Sequence, residues 1–153
     1  MKSLELKVPP VLQVLIIAFV MYGLSGLLPN LQVMVFGTNW LAIGLVLVGM
    51  ALAIMGVLAF KKARTTVNPH TPEKSASLVT NGIYHYTRNP MYLGMLLVLL
   101  GWAFYLSNFA ALLVLPVFII YMSRFQIQPE ERFMKQKFSD EYQIYMTKVR
   151  RWL

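Results

Sequence analysis

In a chain with few charges, two groups have types and spacing that could do chemistry. The stretch GIYHYTRNPMYLG, residues 82–94, gathers Arg88, Asn89 and Pro90 with Tyr84, Tyr86 and Tyr92, and further on Glu130 and Glu131 stand side by side. Asparagine followed by proline is a helix start, the first residue as cap and the second at the first helical position. The free N–H groups of such a start, beside a guanidinium, suit a carboxylate or a phosphate. Acidic residues number only six, so an adjacent pair is conspicuous. Brought to one face, Arg88 and Glu130 could grip the two ends of a zwitterionic ligand. On composition alone Arg88 is equally a basic flank, the tyrosines an interfacial belt, and the glutamates the usual acids of a helix's first turn.

The elements that must position these groups are helices in a bilayer. Of 153 residues, 58% are hydrophobic and 13% charged, and no Asp, Glu, Lys or Arg occurs between Lys7 and Lys61 or between Arg88 and Arg124. A hydrocarbon core of ~30 Å needs ~20 apolar residues in helical form. The sequence therefore predicts an all-α integral membrane protein of about four transmembrane helices, over residues 10–28, 40–60, 90–106 and 109–125. Pro9 and Pro10 suit the first start, and LLPN its stop. The first apolar run is longer than the ~7–15 residues of a signal peptide and no small-residue cleavage site follows it, so it is read as a helix. Only Ser107 and Asn108 separate the last two crossings, which makes them a tight antiparallel hairpin. Pro116 should kink the fourth. No sheet is expected, since open edges cannot sit in lipid.

One membrane domain is expected: two N-terminal crossings in 1–60 and a functional core in 61–153. Residues 61–90 carry Lys61, Lys62, Arg64, Lys74 and Arg88, punctuated by Pro69, Pro72 and Gly82 as in an ordered loop. After Arg124 the tail reads as a helix starting at QPEERF, with Pro129 at its first position and Phe138, Tyr142, Tyr145 and Val149 at helical spacing. Its other face is basic, so it should lie along the interface with Trp152 as an anchor. The positive-inside rule puts both termini and the 61–90 loop in the cytoplasm. The net charge of +8 then serves topology and attraction to anionic membrane lipids, and nucleic acid is not a partner. With no cysteine and two histidines, thiol catalysis is excluded and no metal centre is expected.

Together, LVTNGIYHYTRNPMYLG, an apolar hairpin and PEERFMKQKFSDEYQIYMTKVRRW resemble the membrane-embedded methyltransferases that include isoprenylcysteine carboxyl methyltransferases and phospholipid N-methyltransferases. The resemblance covers about residues 65–152. It implies an S-adenosyl-L-methionine-dependent methyltransferase acting on a lipophilic acceptor, a carboxylate, amine or thiol. Cofactor-binding positions carried over are Ser77, Leu78, Val79, Tyr84, Arg88, Asn89, Pro90, Met91, Tyr92 and Glu130, with Glu131 beside it. Arg88 and Glu130 are the catalytic candidates: Arg88 for the methionyl carboxylate, Glu130 for the ammonium or ribose end. Tyr84 and Tyr92 would hold the nucleoside. Asn89 replaces the family's usual histidine. Gln126, a substrate-side position, stands where the prenylcysteine branch has an arginine, which points away from a prenylcysteine carboxylate. An amine acceptor would need deprotonation, for which His85 is the nearby neutral-range group. The alternatives are an NADPH-dependent reductase of the sterol-reductase-like group and a non-catalytic small membrane protein.

Overall fold

Proline and asparagine set the helix boundaries. The computed structural model describes residues 5–32, 37–63 and 77–153. Expectations resting on Arg64, Pro69, Pro72 and Lys74 lie outside the described residues. Among the described residues there are five α-helices: α1 (Pro10–Leu27), α2 (Thr38–Lys62), α3 (Pro90–Leu106), α4 (Phe109–Met122) and α5 (Gln128–Lys148). Prolines occupy the first turns of α1, α3 and α5, where a missing N–H costs no helical bond. No strand occurs among the described residues, only an isolated bridge between Gln32 and Asn108.

α1, α2 and the continuous helix over 109–148 contain stretches long and apolar enough to cross a membrane. α3, with 17 residues, rises only ~25 Å at ~1.5 Å per residue, short of the ~30 Å core. Large apolar side chains such as Leu15, Phe19, Leu47 and Ile54 are exposed along α1 and α2, as expected of surfaces solvated by lipid.

α2 and α3 pack backbone to backbone. A Cβ on Gly49 would lie 2.5 Å from the Gly94 carbonyl oxygen, so only glycine permits this approach. A Cβ on Gly56 would meet the Met91 side chain at 2.7 Å, whereas Gly44 faces open space. α1 lies against α3 and α4, with Trp102 Nε1 donating to the Ala18 carbonyl at 3.1 Å. The α3–α4 turn is closed by Asn108, whose Oδ1 accepts from Ala110 N at 2.9 Å while its Nδ2 donates to the Leu28 carbonyl at 2.9 Å. Met21, Leu99, Phe118 and Met122 are fully buried at the centre.

The sequence predicts a tail helix separate from the fourth crossing, but the structure joins them. α4 passes through a single π-turn, Ser123–Ile127, directly into α5. The reason is Pro129: without an N–H it releases the carbonyl of Phe125, and a widened turn absorbs the mismatch. Leu6 N donates to that freed carbonyl at 3.0 Å. Gln126 Nε2 donates to the Val8 carbonyl at 2.7 Å, and Arg132 pairs with Glu5. The N-terminal segment is thereby fastened to the elbow that precedes Glu130.

The tail itself also differs from an amphipathic helix lying free on a membrane. Its chain breaks helical geometry at Ser139, where φ is 34°. Tyr142, Tyr145 and Val149 are buried among Leu78, Met134, Phe138 and Met146, so that face is covered by protein. Trp152 packs on the central core instead of standing out as an anchor.

Candidate active site

The start of α3 and the start of α5 line one hollow together with Phe60, the segment Ser77, Leu78 and Val79, and Tyr142 and Tyr145. Thr87, Arg88 and Asn89 are fastened to the C-terminal segment: Arg88 N donates to the Arg150 carbonyl at 3.0 Å, and Asn89 Nδ2 and Thr87 Oγ1 donate to the Arg151 carbonyl at 2.8 and 3.3 Å. Asn89 occupies the cap position of α3, but its side chain makes no cap bond. This corrects the capping role expected from Asn-Pro: the amide is spent on the chain end, and the first N–H groups of α3 are left without it. On the other side of Arg88, the Tyr145 hydroxyl donates to the Tyr84 carbonyl at 2.6 Å, tying the turn Gly82–His85 to α5.

Glu130 and Glu131, neighbours in sequence, have different partners. Arg88 Nη2 contacts Glu131 Oε1 at 3.1 Å, while Arg88 and Glu130 line the same hollow. Arg151 grips the same carboxylate with both ends of its fork, Nε to Oε1 at 3.0 Å and Nη2 to Oε2 at 2.7 Å. These bonds raise the Arg151 pKa above its ordinary value. Glu130 instead accepts a hydrogen bond from the Tyr92 hydroxyl. Burial pushes its carboxyl up to about 8, against the lowering effect of the tyrosine bond and with a further push from Glu131. Burial likewise raises Tyr84, Tyr142 and Tyr145, leaving them neutral hydrogen-bonding groups.

The hollow between these groups is partly open to solvent and is lined by both charged and apolar side chains. Of the positions singled out in the sequence, Ser77, Leu78, Val79, Tyr84, Arg88, Asn89, Met91, Tyr92, Glu130 and Glu131 line it. Pro90 does not; it is buried at the start of α3, beside Gly56. Gln126 is fully buried outside the lining and directed to Val8. His85 is exposed and outside it as well. Sequence reasoning missed Phe60, Ile127, Met134, Tyr142 and Tyr145 as lining residues. It also missed Arg151, the second half of a basic pair that reads as topology.

One observation tests whether a zwitterionic cofactor suits these residues. Arg88 Nε and Nη1 are buried and have no hydrogen-bond partner. Buried guanidinium donors left unpaired are costly, and a carboxylate is the group whose geometry matches them. With the Glu130 carboxyl nearby for an ammonium and apolar Phe60, Leu78 and Met134 for a nucleoside, the donor set fits S-adenosylmethionine. Among the described residues no group of three or more His, Asp or Glu is placed to hold a metal ion.

Comparison with known sequences agrees with this architecture. The family described as phospholipid methyltransferase matches residues 38–141, and the chain belongs to that family. An uncharacterized protein of Haemophilus influenzae is 49% identical over 63 residues, which are 41% of this chain and all of that one. The protein-S-isoprenylcysteine O-methyltransferase of Schizosaccharomyces pombe is 36% identical over 76 residues, half of this chain. The chain spans only 32% of the length of that yeast enzyme. No solved structure matches. The chain is thus an integral membrane protein of a methyltransferase family.

Proposed function

We propose that this protein transfers a methyl group from S-adenosyl-L-methionine to a lipophilic or membrane-associated small acceptor, a carboxylate, amine or thiol. The observation that carries the reading is the pair of unpartnered Arg88 N–H groups in a hollow that also holds Glu130. Arg88 takes the carboxylate of the cofactor's amino-acid arm, and Glu130, oriented by Tyr92, takes its ammonium. Tyr84, Met91 and the segment Ser77, Leu78 and Val79 flank the nucleoside. When bound, the cofactor supplies an electrophilic methyl: the acceptor's lone pair forms the new bond while the C–S pair returns to sulfur as a neutral thioether. Most of the acceleration then comes from holding the two reactants in line. Both termini and the 61–90 loop face the cytoplasm in this reading, so the cofactor enters from water and the acceptor from the bilayer.

Calorimetric titration of the detergent-purified protein with S-adenosylhomocysteine and, separately, with NADPH tests the proposal. Binding of the first alone is expected. Binding of NADPH alone would move the chain to reductase chemistry, and binding of neither would remove the enzymatic reading.

A further inference from the structure

Arg151 is not among the cofactor-binding positions that the resemblance implies, yet its side chain bears on what Arg88 is free to do. Around the Glu131 carboxylate stand two guanidinium groups, Arg88 at 3.1 Å and Arg151 in a two-bonded fork at 3.0 and 2.7 Å. Two positive charges against one negative leave a surplus of one. That surplus sits on Arg88, whose Nε and Nη1 are buried without partners, while both carboxylate oxygens of Glu131 are occupied by Arg151. If Arg151 were neutral, the trio would carry no net charge, and Glu131 would draw the Arg88 guanidinium wholly to itself.

We infer that Arg151 is a positioning residue for ligand recognition: by forking across both oxygens of Glu131 it limits Arg88 to a single contact there and leaves Arg88 Nε and Nη1 for a ligand carboxylate. The inference rests on the proposed cofactor reading. It makes the segment that follows α5 part of the specificity of the site, acting through Glu131 without touching the ligand. The fastening of this segment does not depend on the Arg151 side chain, because Asn89, Thr87 and Arg88 bond to the main-chain carbonyls of Arg150 and Arg151. Replacing the side chain should therefore leave the segment in place.

The test uses the detergent-purified full chain and two probes that differ only in the carboxylate, S-adenosylmethionine and its decarboxylated form. Wild type should bind the first more tightly. Arg151→Gln should weaken S-adenosylmethionine roughly tenfold, the size of one lost charge-assisted contact, and leave the decarboxylated form nearly unchanged, so the preference collapses. Arg151→Lys, keeping charge but losing the fork, should fall between. The double variant Glu131→Gln with Arg151→Gln again leaves Arg88 with a surplus charge and should recover the preference, even if the single glutamine variant folds poorly. The inference is overturned if Arg151→Gln weakens both probes equally, or if the double variant fails to regain discrimination. Failure of wild type to bind either probe would overturn the cofactor reading instead.

Discussion

The Tyr92 hydroxyl, in the first turn of α3, donates to Glu130 in the first turn of α5. This bond joins the two segments that supply the cationic and acidic sides of the hollow. It also gives the two adjacent carboxylates different partners, because Glu131 is held by two arginines.

The first prediction concerns pH. The Glu130 carboxyl, pushed by burial up to about 8 from 4.5, binds its proton more tightly folded than unfolded. Such a group opposes ionisation in the native state, so ligand-free stability should fall as pH rises from about 4.5 to about 8 and level off above. Thermal melts of the detergent-purified protein should show this slope, and Glu130→Gln should flatten it. Binding should run the opposite way: an ammonium-bearing ligand favours the ionised acid, so S-adenosylhomocysteine affinity should rise through the same window in wild type and lose that rise in Glu130→Gln. A variant whose two profiles match wild type would show that Glu130 is not the titrating group.

Arg88→Ala should weaken S-adenosylhomocysteine by about 10- to 100-fold, the range for a hydrogen bond to a charged group. Glu131 keeps its fork to Arg151, so no unpaired buried acid is created and the melting temperature should change little. Arg88→Lys should recover only part of the affinity, because a point charge does not reproduce a planar fork. Unchanged titration curves for Arg88→Ala would remove the carboxylate from this corner.

Close helix contact gives a prediction about folding. Gly49→Ala forces a Cβ to within 2.5 Å of the Gly94 carbonyl oxygen and should destabilise by about 1–3 kcal/mol through overpacking, read as a lower melting temperature. Gly44→Ala meets nothing within 4 Å and should be neutral within the chain. A matching drop at Gly44 would instead reveal a contact between copies.

Much of this arrangement was legible in the sequence because helix boundaries are local. Pro10 and Pro90 begin α1 and α3 as expected, and Asn108 caps α4. The chemistry-bearing residues of the 82–94 stretch and the acid pair were also recognisable, since charges are rare in this chain. The division of partners between Glu130 and Glu131 was not. Neighbouring residues on a helix are ~100° apart, and the π-turn at Ser123–Ile127 changes the phase with which α5 leaves α4. Pro129 accounts for the turn, but the bond from Leu6 to the Phe125 carbonyl that it frees is long-range, and no local pattern shows it. The same rotation turned Gln126 away from the hollow. Asn89 was misread for a related reason: its cap position is local, but its amide answers to a carbonyl 62 residues away.

Asn89 supplies the last prediction, because two bonds at the start of α3 compete for one side chain. Its amide donates to the Arg151 carbonyl at 2.8 Å and makes no cap bond, so what the position requires is a donor that reaches the chain end. Asn89→His keeps a ring N–H for that carbonyl and should cost less than about 1 kcal/mol. Asn89→Leu removes the donor, leaves the carbonyl with only the longer Thr87 bond at 3.3 Å, and should cost about 1–2 kcal/mol. Because the same carbonyl anchors the segment carrying Arg151, the leucine variant should also weaken S-adenosylhomocysteine. The histidine variant should not. Melting temperature and titration measured on the same samples separate the outcomes: equal behaviour of the two variants would mean that the chain end is held without residue 89.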